Sequence, residues 1–233
     1  AFSHTVLELT GGENIIPESN IAFIGSIIYG EEFHNSRALF LNSVKKKFDV
    51  ELFSDVSEVV FSFPSSIIKK WGIKTYFNFL NMLRSLQMKI SPNLPGYETY
   101  VQYLNFILFS SLKKKAISPV FGLEMYRKLR SFRFSLNMHG QTNYSSNMRM
   151  FESTGMGVCL VTDWKKNIKN IFEPDFEVIT YKSSKECIEK IKYLMEHEDE
   201  RKKIAKAGQN RVLKEHTYEQ RAMKLDQIIR DNI

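Results

Sequence analysis

The amino-acid sequence predicts an α/β domain: a Rossmann-like parallel sheet with helices on both faces and a helical insertion in the middle of the chain. Three features predict it. Short apolar runs end in glycine or polar loop residues, as buried parallel strands do. Between them lie segments whose apolar residues keep helical spacing. Two capping-box patterns near the end announce amphipathic helices. The composition agrees, since 233 residues that are 43% hydrophobic and 25% charged exclude disordered, collagen-like and disulfide-stapled chains.

Residues 1–20 lack periodicity and contain Gly11, Gly12 and Pro17, so they read as an inter-domain linker or edge segment, leaving 21–233 as the domain. Asn20 to Ser26 is the first strand. Ser36 to Phe48 carries Ala38, Leu39, Leu41 and Val44 at mixed helical spacing, and Val50 to Phe53 is the second strand. Residues 54–118, rich in Phe, Tyr, Leu and Lys and broken by Trp71, Pro92 and Pro95, form the helical insertion. Within it Val101 to Leu112 is apolar but far short of the roughly 20 residues a spanning helix needs. It reads as a buried or half-buried helix, or as an interfacial one helped by Lys113, Lys114 and Lys115.

Gly122 to Ser131 is expected as a helix, Phe134 to Asn137 as a strand, and His139 to Ser146 as a polar loop. Asn147 to Thr154 resumes helical spacing through Met148, Phe151 and Glu152. Val158 to Thr162 is β-branched and apolar, hence a central strand, and Val178 to Tyr181 gives another. Ser183 to Glu186 is a capping box ahead of Ile188, Ile191, Leu194 and Met195. Thr217 to Gln220 is a second, ahead of Ala222, Leu225, Ile228 and Ile229.

The net charge of +7 suits phosphorylated ligands, nucleic acid or an anionic membrane surface. The basic residues are spread over helix faces and the short runs Lys45 to Lys47 and Lys113 to Lys115, without RNP-type or helix-turn-helix patterns, so nucleic acid is not expected as a partner and membrane contact is at most peripheral. Cys159 and Cys187 sit in apolar runs as small buried hydrophobes, which suits a reducing, cytoplasmic setting. The chain opens on Ala1 without a signal-peptide pattern and is expected to be part of a longer polypeptide.

No GxxxxGK[ST] loop occurs and no GxGxxG follows the first strand, which argues against P-loop NTPases and dinucleotide oxidoreductases. The five histidines form no HExxH or His/Cys cluster, and no Asp-x-Asp closes a strand. Structural zinc is therefore not expected.

Chemistry in an open parallel sheet gathers beyond the carboxyl ends of the strands, where helix N-termini attract anions. Three segments qualify. In Gly25 to Arg37, Gly25 and Ser26 follow a strand, His34 lies within reach, and Arg37 either swings onto phosphate oxygens or stays solvated. In Asn137 to Glu152, the strand end Asn137, the loop residues His139 and Gly140, and the helix start at Asn147 and Arg149 form the densest polar constellation in the chain. Arg149 near the helix start suits a bidentate grip on a diphosphate. Glu152, three residues later, accepts two ribose hydroxyls or serves as a salt-bridge carboxylate. His139 is a pocket group or a loop histidine satisfied by backbone. The third segment, Gly155-Met156-Gly157, suits a tight helix-to-strand turn.

The ordered combination SLN-x-HG, NMR-x-FE-x-TG-x-G, LVTDW and the closing EHTY, over residues 119–222, resembles the C-terminal domain of GT-B glycosyltransferases, most nearly the CgeB-like enzymes of the group 1 and 4 lineage. The resemblance extends more loosely to AFSHTVLE and NIAFIGSIIYGEEFHNSR near the start. It implies an enzyme of two Rossmann-like halves. The C-terminal half binds a nucleotide-diphosphate sugar, and an N-terminal GT-B domain, missing from this chain, holds an acceptor that is a glycan, a protein or lipid-linked.

On matching positions the resemblance implies that Glu152 binds the donor ribose. Arg149, Arg37 and the Gly25-Ser26 loop neutralise the diphosphate, and His139 and Asn137 line the pocket. Catalytic roles then fall to His139, Arg149 and Arg37, and substrate binding to Gly25, Ser26, His34, Asn137, Gly140, Asn147 and Glu152. It also implies transfer without a divalent metal or other cofactor, in agreement with the missing Asp-x-Asp, and with a tilt towards retention of anomeric configuration. Related group 4 enzymes often carry a second acidic residue seven or eight positions before the one matching Glu152, where this chain has Ser145 and Tyr144. The competing expectation is a non-catalytic nucleotide-sugar-binding or protein-interaction module of the same fold.

Overall fold

The computed structural model describes residues 2–11, 19–30, 32–58, 78, 81, 97–140, 144 and 147–233. Most of the expected insertion lies outside the described residues, as do Gly12 and Pro17 of the opening segment and Ser145 and Ser146 of the 139–146 loop.

Among the described residues six strands form one parallel sheet in the order β3-β2-β1-β4-β5-β6. They are β1 (Ser19–Ile24), β2 (Val50–Phe53), β3 (Ala116–Ile117), β4 (Phe132–Asn137), β5 (Cys159–Asp163) and β6 (Ile179–Tyr181). The register pairs Ile21 with Val50 on one side of β1 and with Phe134 on the other. Among the described residues the helices are α1 (His4–Leu9), α2 (Glu32–Lys45), α3 (Tyr97–Lys113), α4 (Gly122–Arg130), α5 (Met148–Gly155), α6 (Ser184–Glu196), α7 (Glu198–Glu215) and α8 (Tyr218–Asp231). Among the described residues no helix is long and apolar enough to cross a membrane.

Alternation of side chains along the strands sends residues to opposite faces, and each face has its own core. Ile21, Phe23, Leu52, Phe134 and Val161 pack against α2, α3 and α6 through Leu41, Phe109 and Ile191. Ala22, Ile24 and Leu160 pack on the other side with Leu129 of α4 and Met150 and Phe151 of α5. The Val101 to Leu112 stretch is the half-buried helix α3, with Leu108, Phe109 and Leu112 inward. Ser183 and Thr217 act as the N-caps that the capping boxes require, accepting from the N–H groups of Glu186 and Gln220.

The opening segment differs from its unperiodic reading. Residues His4–Leu9 form α1, six residues and too short for periodicity to register. Thr10 at its end accepts the guanidinium of Arg130 through its carbonyl and hydroxyl oxygens at 2.8 and 3.2 Å. Phe2 is fully buried and bridges to the segment entering α8, donating to His216 O at 3.1 Å and accepting from Tyr218 N at 2.8 Å. Its ring lies so close to α5 that a Cβ on Gly155 would meet it at 2.6 Å.

Helix α7 crosses α5 and the loop before β6 at similar range. A Cβ on Gly208 would sit 2.3 Å from the carbonyl oxygen of Glu177 and 2.5 Å from Thr154 Cγ2. A backbone carbonyl has no rotamer to yield, so one methyl forces the helix outward. Gly208→Ala is expected to lose about 1–3 kcal/mol of unfolding free energy. Urea denaturation followed by circular dichroism measures this, and an unchanged midpoint would refute the contact.

Candidate functional site

Between β1 and β4 the direction of strand addition reverses, so the loops after these two strands diverge and leave a crevice. A cavity of about 500 Å³ lies there. Gly25, Arg37, Asn137, Asn147, Arg149 and Glu152 give it a polar side, and Phe121, Met125, Tyr126 and Met148 an apolar one. Six of the expected site residues thus meet in one hollow, drawn from β1, α2, β4 and α5. Ser26, His34, His139 and Gly140 are not among its lining.

Arg37 of α2 spans the crevice floor. Its Nη1 donates to Ser26 O at 2.7 Å and its Nη2 to Met138 O at 3.0 Å, joining the loop after β1 to the loop after β4. The guanidinium stacks on Phe33, 4.2 Å from the ring centroid. Its Nε is buried and makes no hydrogen bond among the described residues. Burial lowers its pKa to about 10, against weaker opposing influences from Tyr181 and Asp163, so it stays cationic at neutral pH. Both hydrogen bonds go to neutral carbonyls, and no carboxylate pairs with it among the described residues.

Arg149 and Glu152 face each other one helical turn apart on α5. Arg149 Nη1 donates to Glu152 Oε2 at 2.9 Å and lies 2.8 Å from Met125 Sδ. Burial lowers the pKa of Arg149, and the Glu152 charge opposes that shift. Tyr126 on the same wall is pushed up to about 12, mainly by burial and then by the Glu152 charge. Glu152 is thus a salt-bridge carboxylate that also lines the hollow.

A polar chain orients the N-terminus of α5. Asn147 caps the helix through Met150 N and donates to Asn137 Oδ1 at 2.8 Å, and Asn137 donates to Thr162 Oγ1 at 2.9 Å. Tyr181 donates to Asn137 O at 2.8 Å. These bonds lock the ends of β4, β5 and β6 to the start of α5, whose first N–H groups and partial positive charge adjoin the cavity.

His139 belongs to this support and not to the cavity wall. It is 3% exposed, and Asp163 Oδ1 accepts both its backbone N–H at 2.8 Å and its Nδ1 at 2.7 Å. An ionised carboxylate only accepts, which puts a ring proton on Nδ1. Nε2 faces Met150 Sδ at 3.0 Å. Ser26 contributes its carbonyl to Arg37, His34 is half-buried on α2 with its ring 5.2 Å from that of Phe33, and Gly140 O accepts from Lys165 Nζ at 3.5 Å. Asn143 lies outside the described residues, and Tyr144 is exposed. Among the described residues no three His, Cys, Asp or Glu gather as metal ligands.

Sequence reasoning passed over Asp163 and Tyr126. Asp163 carried a signal, since it closes the apolar run VCLVT at the strand end that faces ligands in a parallel sheet. Tyr126 carried none, because α4 reaches the cavity only through tertiary packing.

A family model described as glycosyl transferase-like matches residues 78–227. No curated protein sequence matches the chain. Among solved structures, a glycosyltransferase from Rickettsia africae ESF-5 is similar at 10% identity and a TM-score of 0.54, over 99% of this chain and 52% of that one. The sucrose-phosphate synthase of Thermosynechococcus elongatus is similar at 10% identity and a TM-score of 0.52, over 99% of this chain and 49% of that one. The likeness is one of fold, and the chain spans about half the length of these two proteins.

Burial raises the pKa of Asp163, but the hydrogen bonds and charge of His139 and the charge of Lys165 outweigh it and leave the net shift downward. A depressed carboxylate contributes stability above its unfolded pKa and loses it as pH falls through the folded value. Asp163→Ala is expected to lose about 1–3 kcal/mol at neutral pH, the cost of orphaning the two His139 donors. The difference from the parent should narrow below about pH 4. Thermal unfolding across pH reads both, and a difference independent of pH would contradict the ionised Asp163 carboxylate.

Proposed function

The chain belongs to the glycosyl transferase-like family, and from that premise we propose that its crevice binds a nucleotide-diphosphate sugar and supports transfer of the sugar to an acceptor hydroxyl. The observation that carries this reading is Arg37, a half-buried cation with no carboxylate partner among the described residues, in the same hollow as the Arg149–Glu152 pair. A partly desolvated charge without a counter-ion is costly, so the site favours an anion.

In this reading the donor diphosphate lies against Arg149, the α5 N-terminus and the field of Arg37. The Arg149 fork keeps Glu152 on one nitrogen and turns its remaining donors to phosphate oxygens. Glu152, already oriented, accepts the ribose hydroxyls. Transfer breaks the bond between the anomeric carbon and the diphosphate oxygen and forms one to the acceptor oxygen, whose proton passes to a base outside this chain. Negative charge grows on the departing diphosphate, and fixed cations and helix N–H groups stabilise it without reorganising and without a metal. His139 acts as a positioning residue, holding Met150 and the start of α5.

The finer points of the proposal are retention of anomeric configuration, kinship with the CgeB-like enzymes, a cytoplasmic setting and an acceptor held by a second Rossmann-like domain. The cytoplasmic setting rests on the two cysteines in apolar runs and the others on the motif resemblance, and the half-length coverage of the similar structures is compatible with the last of them.

Isothermal titration of the chain with UDP, GDP, dTDP and the corresponding nucleosides tests the reading. Nucleoside diphosphate should bind at least about tenfold more tightly than nucleoside, one or two charge-assisted hydrogen bonds being sufficient. Arg149→Ala should remove most of that advantage, and Glu152→Ala should weaken nucleoside and diphosphate alike by about tenfold. Equal affinity of the parent for nucleoside and diphosphate would overturn the assignment.

A further inference from the structure

In a parallel sheet every helix returns to the amino edge, opposite the edge that binds ligands. Helices α2 and α3 end at Lys45 and Lys113, and the strands that follow them, β2 and β3, are hydrogen-bonded neighbours through Leu52 and Ala116. The runs Lys45 to Lys47 and Lys113 to Lys115, far apart in sequence, consequently meet at one corner of the domain. A hollow of about 550 Å³ opens there between Lys45, Lys46, Lys47 and Lys115, beside Phe48 and Ile117.

Little of this charge serves the fold. Lys45 donates to Val50 O and Lys113 pairs with Glu58. The ammonium groups of Lys46, Lys47, Lys114 and Lys115 have no carboxylate partner within salt-bridge distance among the described residues. Asp49 and Glu51 share the lining and offset part of the charge. A helix C-terminus is satisfied by a cation or two in its last turn, whereas each of these carries three in a row. Lys45 is driven below the ordinary lysine range by burial and then by the repulsion of Lys115.

Apolar side chains accompany the lysines. Ile117 is 41% exposed in the same lining, and Ile107, 45% exposed, lies two turns before Lys114 on the same face of α3. Lysines flanking exposed isoleucines suit a surface that offers phosphate groups above hydrocarbon, whereas a polynucleotide would leave the isoleucines in water. We propose that this corner, at the β3 edge of the sheet, docks on an anionic phospholipid bilayer, with the lysines at the headgroups and Ile107 and Ile117 at the acyl boundary. The proposal is independent of what the crevice between β1 and β4 binds.

Flotation with vesicles of phosphatidylcholine, alone or with about one-third phosphatidylglycerol, tests it. The parent should float with the anionic vesicles only, and less at higher salt. The triple variant Lys46→Glu, Lys47→Glu, Lys115→Glu should lose about tenfold or more in partitioning. A control with the same change of charge, Lys185→Glu, Lys192→Glu, Lys203→Glu, should keep most of it. Ile117→Ser, which preserves every charge, should weaken partitioning severalfold, and circular dichroism melts confirm that each variant is folded. No binding of the parent to anionic vesicles at low salt, equal losses in the two triple variants, or capture of duplex oligonucleotide without vesicle binding would each overturn the proposal.

Discussion

The crevice is organised around one half-buried guanidinium. Arg37 reaches from α2 to the carbonyls of Ser26 and Met138, and so clamps together the two strand ends that the reversal of strand order would otherwise splay. Donation to backbone oxygens and not to a carboxylate leaves the positive charge unspent. A carboxylate in place of either carbonyl would make a stronger clamp and a weaker attractor of anions. The loop geometry and the electrostatic character of the hollow are thus set by the same side chain.

Around that clamp the polar residues divide into those facing the hollow and those holding them still. Arg149 and Glu152 face it, and they are aimed by α5, whose start is tied through Asn147 and Asn137 to Thr162 on β5. His139 and Asp163 brace the same junction from the interior, with Met150 against the imidazole. Buried polar chains of this kind are costly when half satisfied and rigid when complete, which is the property a site needs if its donors are to be in place before a ligand arrives.

Much of the fold was legible because strand runs and helix caps are local. Val50 to Phe53 matches β2 to the residue, and Asn147 proved to be the cap of α5. Three elements were not legible, for physical reasons. β3 has two residues, α1 has six, and α7 is so polar that only a few buried positions such as Ile204, Ala205 and Val212 mark its inner face. At the site, the strand-end rule correctly selects the edge of the sheet, but it is silent on which side of a loop a side chain takes. Asn137 and Gly25 face the hollow, while His139, only two residues beyond Asn137, is drawn inward by Asp163. That competition between partners distant in sequence decides the matter.

The bridge of Phe2 to the segment entering α8 also bears on how the domain carries mechanical load. Two hydrogen bonds and one ring sealed against α5 join the strand-like entry at position 2 to the opposite end of the chain. Tension applied between position 2 and α8 would act on this clasp in shear before reaching the six-stranded sheet. The clasp would then yield as a separate early event, leaving the crevice between β1 and β4 intact while the ends of the chain part.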